Sequence, residues 1–286
     1  MKIKQNRMAG FAIITIAYII AAVIGVAVFR ALPEWHIFLR VLIGDVAATV
    51  FIYLIGVLIK NASVYDPYWS VAPIFIISGL VIMIGVMNFG IALLLIAIWY
   101  WGVRLTANWA YTFKNLDSQD WRYDMFKAKY PKIFQLVSFF GIHMFPTMVV
   151  YLCLLPGIVF VQDSKINAVT LIGFVICILA ASLQLIADIQ LHRFRRNNSG
   201  NREIIREGLW KHSRHPNYLG EIMMWWGVYI FMLSASPHMW ILGIGPLVNT
   251  LMFVFVSIPM ADRHNRSKRE GFDEYVKETN SLFLFV

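Results

Sequence analysis

The sequence predicts an all-α polytopic membrane protein, about eight transmembrane helices in one domain, with the N- and C-termini cytoplasmic. Three observations lead there. Hydrophobic residues make up 59% of the 286-residue chain and charged residues 14%, where about 25% charged is usual for a soluble domain. A soluble globule so composed would turn a large apolar surplus toward water. The apolar residues also gather into runs long enough to cross a bilayer, about 20 residues each. With eight crossings, every Lys and Arg except Arg30, Arg40 and Lys165 falls on the side of the N-terminus, as cytoplasmic loops require. A soluble enzyme, a disordered chain and a disulfide scaffold are excluded.

The elements follow in order. Lys2, Lys4 and Arg7 ahead of an apolar run have the form of a signal peptide. The run over 8–29 is longer than a signal's apolar region, and no small-residue cleavage site follows, so it reads as a retained first span. The second span is 37–59. Residues 71–103 are apolar throughout, too long for one helix, and Asn88 and Gly90 divide them. This predicts a third span over 68–87 and a fourth over 89–109. The fifth is 133–160, through Pro146 and Pro156; the sixth 166–191, the seventh 216–234 and the eighth 239–258. Three cytoplasmic segments are long enough to carry chemistry: 110–132, 192–215 and 260–286. Within the last, residues 262–279 mix charge with Phe272, Tyr275 and Val276 and predict an amphipathic helix on the inner face. The +9 net charge is explained by loop cations facing membrane lipids and asks for no nucleic acid. Cys153 and Cys177 read as small buried hydrophobes. His143 has no second ligand at metal spacing, so no metal site is expected and it reads as a satisfied core histidine.

A polar group within a span is a functional candidate because inserting it is costly. Asp45 is the deepest acid. Gln184, Asp188, His192 and Arg195 recur on one helical face, which runs into a basic loop containing Arg196. Asn217 and Glu221 repeat the pattern at the start of the seventh span. Pro216 suits a first helical turn, with His215 or Ser213 as the cap. The helix end so formed, ringed by Lys211, Arg214 and His215, suits an anion such as phosphate. Most tryptophans and tyrosines, among them Trp99, Trp101, Trp109, Tyr111, Trp225 and Trp226, read as an interfacial belt. Asp66-Pro67-Tyr68-Trp69 stands apart: Asp66 serves equally as a helix N-cap or as a functional acid.

The run from Gly208 to Glu221, containing Ser213-Arg214-His215-Pro216-Asn217-Tyr218-Leu219-Gly220-Glu221, resembles the signature of the steroid 5-alpha-reductase C-terminal superfamily. A mostly bacterial membrane branch of that superfamily also shows Asp66-Pro67-Tyr68-Trp69-Ser70, Asn108-Trp109-Ala110, Asp120-Trp121-Arg122-Tyr123 and an Asp188-x-Gln190 pair. The resemblance implies an NADPH-dependent reductase of the bacterial inner membrane, acting on a carbon–carbon double bond of a lipophilic, steroid-like substrate. It implies substrate-side helices over 1–132 and a cofactor-binding region over 133–286. Asp188, Arg195, Asn217, Tyr218 and Glu221 become cofactor contacts by motif. Gln184, His192, Arg196, Lys211, Arg214, His215, Asp262 and Arg263 join them as candidate cofactor contacts. For proton donation Tyr68 is the first choice and Tyr123 the second, with Asp66 beside them. As belt residues both tyrosines would be replaceable by Phe; as acids they would not. Isoprenylcysteine carboxyl methyltransferases share an Arg-His-Pro-x-Tyr-x-Gly run but use S-adenosylmethionine and carry adjacent acids where this chain has Asp262-Arg263-His264. A non-enzymatic lipid-binding or transport protein is the third reading.

Overall fold

A computed structural model describes residues 3–198 and 203–283. Among them, eight helices are long and apolar enough to cross a membrane: Arg7–Arg30, Ile37–Ile59, Ala62–Ile84, Phe89–Thr112, Pro131–Asp163, Ala168–Asn197, Pro216–Ala235 and Pro237–Lys268. The predicted count holds, and the chain is a multi-pass helical bundle. Lys2 and Arg202 of the charge argument lie outside the described residues.

The helix ends depart from expectation for local reasons. The third helix stops at Ile84, short of residue 87, because Gly85 takes the left-handed conformation (φ 72°) that ends helices. Asn88 then caps the fourth helix, its side chain accepting from Ile91 N at 3.0 Å. The fifth helix carries Pro146 without breaking. It widens into a π turn over Ser138–Met144 just before the proline, which then sits in the first turn of the α-helix Phe145–Asp163. A first-turn proline has no amide bond to lose. The sixth helix opens with a capping box, Asn167 accepting from Val169 N and Thr170 N while Thr170 accepts from Asn167 N.

The amphipathic helix expected over 262–279 is not one element. Asp262 to Lys268 continue the eighth helix, which passes a second π turn, Phe253–Ser257, and runs on as Ile258–Lys268. Gly271, at φ 71°, breaks the chain before a separate short helix, Phe272–Glu278.

The sixth and seventh helices pack closely where their residues are small. A Cβ added to Gly227 would lie 2.5 Å from Cys177 Sγ, and one on Gly220 would lie 2.7 Å from the Ala180 carbonyl. Small residues let helix backbones approach in lipid, where no hydrophobic force drives them together. Cys153 and Cys177 are both buried, as the sequence suggests.

The connections sort into two ends. At one, Leu116 N donates to Lys4 O, Asn61 Nδ2 to Leu116 O, and Arg214 N to Asn280 O. Trp121, after the fourth helix, stacks on His264 and lines one cavity with Arg214, so the N-terminal segment, the loops after the second, fourth and sixth helices, and the tail gather at this basic end. At the other, Asn88 Nδ2 donates to Ser164 Oγ and Asn167 Nδ2 to Ser234 O.

Candidate functional site

Two cavities sit side by side toward the basic end. The outer one, about 420 Å³, is lined by Arg195, Arg214, Lys268 and Arg269 together with aromatic residues such as Trp210, Phe272 and Tyr275. The inner one, about 490 Å³, reaches into the bundle between Val149, Val150, Trp225 and Phe253. Trp121, Asn217, Tyr218 and Ala261 line both. Each has the volume of a small-molecule site.

The wall between them is built by the start of the seventh helix. Pro216 occupies its first turn, and neither His215 nor Ser213 caps it through a side chain; Ser213 Oγ instead accepts from His215 N. His215 stacks on Tyr218 with planes 7° apart, and its Nε2 lies 2.8 Å from Asp262 Oδ1. Arg214 bonds Asp262 Oδ2 at 3.1 Å and the carbonyls of Val276 and Thr279. Arg214 is thus a clasp between the seventh helix and the tail, with its Nε left buried and unpaired. Tyr275 completes the clasp by donating to Trp210 O at 2.5 Å, and burial pushes its phenol pKa up to about 12.

Deeper in, the predicted polar stripe meets partners from the fourth helix. Arg104 Nη1 donates to Asp188 Oδ2 at 2.9 Å, and both side chains are almost fully enclosed. Asn217 Nδ2 approaches the other Asp188 oxygen at 3.4 Å. His192 Nε2 lies 2.6 Å from Asn108 Oδ1. Glu221 accepts from Trp101 Nε1 and Trp225 Nε1, each at 2.8 Å. These two tryptophans are no part of an interfacial belt; they are buried because their N–H groups satisfy a buried carboxylate. Trp99, by contrast, is half exposed. Gln184 lines the inner cavity beside Asp188, Asn217 and Glu221. Arg195 lines the outer one. Arg196, Lys211 and Arg263 are exposed and line neither.

The tyrosines pair with acids in an order the sequence does not reveal. Tyr68 donates to Asp45 Oδ1 at 2.7 Å and is buried away from the cavities. Tyr123 donates to Asp66 Oδ1 at 2.6 Å and lines the inner cavity. Asp66 does not cap the start of the third helix: Pro67 holds the N-cap position of the helix Tyr68–Ile84, with no side-chain cap bond. Burial, and then the Asp66 charge, hold the Tyr123 phenol well above its ordinary pKa. His143 is only half satisfied. Nδ1 lies 2.8 Å from Ser138 O, while Nε2 is buried without a partner.

Sequence reasoning missed Arg104 and Asn249. Arg104 counted as a loop charge although it lies inside the fourth span, eight residues before its end; an in-span guanidinium is itself the signal. Both residues line the inner cavity and carry buried donors without partners: Arg104 Nε and Nη2, and Asn249 Nδ2.

No curated protein and no solved structure matches the chain. One family does, described as "Protein of unknown function (DUF1295)", over residues 52–279. That stretch holds both cavities' polar residues named above, and on its extent the chain belongs to the DUF1295 family.

Proposed function

We propose that this protein is a membrane oxidoreductase that uses NADPH to reduce a carbon–carbon double bond conjugated to a carbonyl in a lipophilic substrate. The observation that carries this reading is the shared wall. A cation-lined outer compartment and a largely apolar inner one meet across Asn217 and Tyr218, with an acid-backed phenol, Tyr123, on the inner side. Such a division suits a phosphate-bearing cofactor beside an apolar substrate.

The residues present fit the cofactor. Arg195, Lys268 and Arg269 offer positive charge to phosphates, and the unpaired N–H groups of Arg104 offer donors to an amide or carbonyl oxygen. NADPH supplies a hydride when bound. The chain's part is to hold the alkene carbon against the nicotinamide, exclude water, and supply a proton. Tyr123 holds that proton at its phenolic oxygen, and Asp66 fixes the hydroxyl's direction. Tyr68, bonded to Asp45 and off the cavity wall, moves to second place. The basic end faces the cytoplasm, where the cofactor is found.

Fluorescence titration with reduced nicotinamide cofactors tests the reading. Arg195→Ala is expected to weaken NADPH binding roughly ten- to a hundredfold and NADH binding little, since one charge-assisted bond to the extra phosphate is worth about 1.5–3 kcal/mol. Equal losses for both cofactors would remove Arg195 from the phosphate site. If S-adenosylmethionine bound and neither dinucleotide did, the methyltransferase reading would replace this one.

A further inference from the structure

The inner cavity runs from the segment around Trp121 and Tyr123 into the membrane-spanning part of the bundle, and a lipophilic ligand coming from the bilayer needs a way in. The two π turns are the notable backbone features there. Gly141 and Ile142, from the π turn Ser138–Met144, line the cavity; so do Val256 and Ser257, at the end of the π turn Phe253–Ser257. The cavity therefore lies between the fifth and eighth helices where each is locally widened. Elsewhere the same two helices are pressed together: a Cβ on Gly245 would sit 2.2 Å from the Leu152 carbonyl. At Gly141 the situation is reversed, since an added Cβ would meet no atom within 4 Å.

The rim of this opening is apolar and faces outward. Phe145 and Val256 both line the cavity and are 45% exposed. Phe140, next to Gly141, and Phe255, next to Val256, are 61% and 71% exposed. At 1.5 Å per residue, Gly141 lies roughly 15 Å along the fifth helix from Pro131, a depth at which exposed side chains meet acyl chains rather than water. Beyond the rim, the cavity offers an apolar body with the unpaired donors of Arg104 and Asn249 in its wall.

We infer that the gap between the two π turns is a lateral portal, through which an apolar molecule with an oxygen acceptor passes from the bilayer into the inner cavity, with Gly141 as its sill. A π turn adds one residue to a helical turn and bulges the backbone locally. Two such bulges on neighbouring helices, with a glycine at the narrow point, leave a passage without a break in either helix. The inference rests on the reductase reading only for the identity of the cargo; the route itself requires no redox chemistry.

The test is photolabelling of the purified chain in lipid nanodiscs by a long-chain alkyl enone carrying a terminal diazirine. In the unaltered protein, brief illumination is expected to label cavity residues such as Val149 and Val150 as well as the lipid-facing Phe255. Gly141→Phe places a ring in open space and should slow the appearance of cavity labels roughly tenfold, by obstructing entry, with Phe255 labelled as before. Gly141→Ala should label like the unaltered protein. Val256→Trp narrows the portal from the other rim and should repeat the effect if Gly141→Phe does not fold; melting and gel filtration in detergent report which variants fold. Cavity labelling at the unaltered rate in both folded rim variants would overturn the portal. Failure to bind NADPH would overturn the reductase reading and leave this experiment intact.

Discussion

Tyr123→Phe is expected to lower turnover of an accepted enone by about 10²-fold or more while leaving NADPH affinity unchanged. The variant removes one oxygen. The ring, which lies with Ala62 and Ile142 in a small apolar cluster, stays in place. Asp66 loses the hydroxyl that donates to it at 2.6 Å, but Asp66 is not itself in the cavity wall. The loss should therefore appear in the catalytic step. Because burial and the Asp66 charge both favour the protonated phenol, the donor should remain competent at neutral pH. Any alkaline loss of rate traced to it should fall above the ordinary tyrosine value of about 10. Tyr68→Phe is the comparison, since its hydroxyl is spent on Asp45 away from the cavity. If Tyr68→Phe abolished turnover and Tyr123→Phe did not, the proton would come from the Asp45 side.

Arg104→Leu is expected to be the most destabilising of these changes. It leaves the Asp188 carboxylate buried opposite a hydrocarbon, with only the long 3.4 Å contact from Asn217. Breaking a buried pair from one side typically costs about 3–5 kcal/mol, whereas replacing both partners with apolar residues is often near neutral. The double variant Arg104→Leu/Asp188→Leu should therefore recover most of the lost melting temperature in detergent, and it should not recover cofactor binding. If the single and double variants melted together, the pair would carry no weight in the fold. Recovery of binding along with stability would place both residues outside the site.

The span count was readable because eight apolar runs and the sign of the loop charges both report on one variable, bilayer crossing. Helix ends were less readable because they depend on single backbone conformations, as at Gly85 and Gly271, or on a helix that runs on from its apolar stretch into polar sequence, as the eighth does over Ile258–Lys268. The site was half readable for a similar reason. Asp188 and Glu221 stood out as costly charges in apolar runs. Their partners did not, because Arg104 is 84 residues from Asp188 and Trp101 is 120 residues from Glu221. Trp225 was the exception within reach: it lies one helical turn beyond Glu221 and bonds it, so the belt assignment overlooked a local hydrogen-bond partner. The acid each tyrosine bonds was not readable from proximity in sequence. Asp66 and Tyr68 are neighbours along the chain, yet each bonds a residue from a different segment.

The clasp of Arg214 has a consequence for biosynthesis. Its partners Asp262, Val276 and Thr279 lie 48 to 65 residues downstream. A growing chain inserts helices as they emerge, so the seventh helix is in place while Arg214 still has none of these acceptors. The outer compartment, whose lining includes Phe272 and Tyr275, takes shape only after residues 262–279 have emerged and folded back. A fusion partner that held the tail away would yield a fully inserted bundle with an unassembled outer compartment. Production yield and correct membrane insertion would then say nothing about whether that compartment had formed.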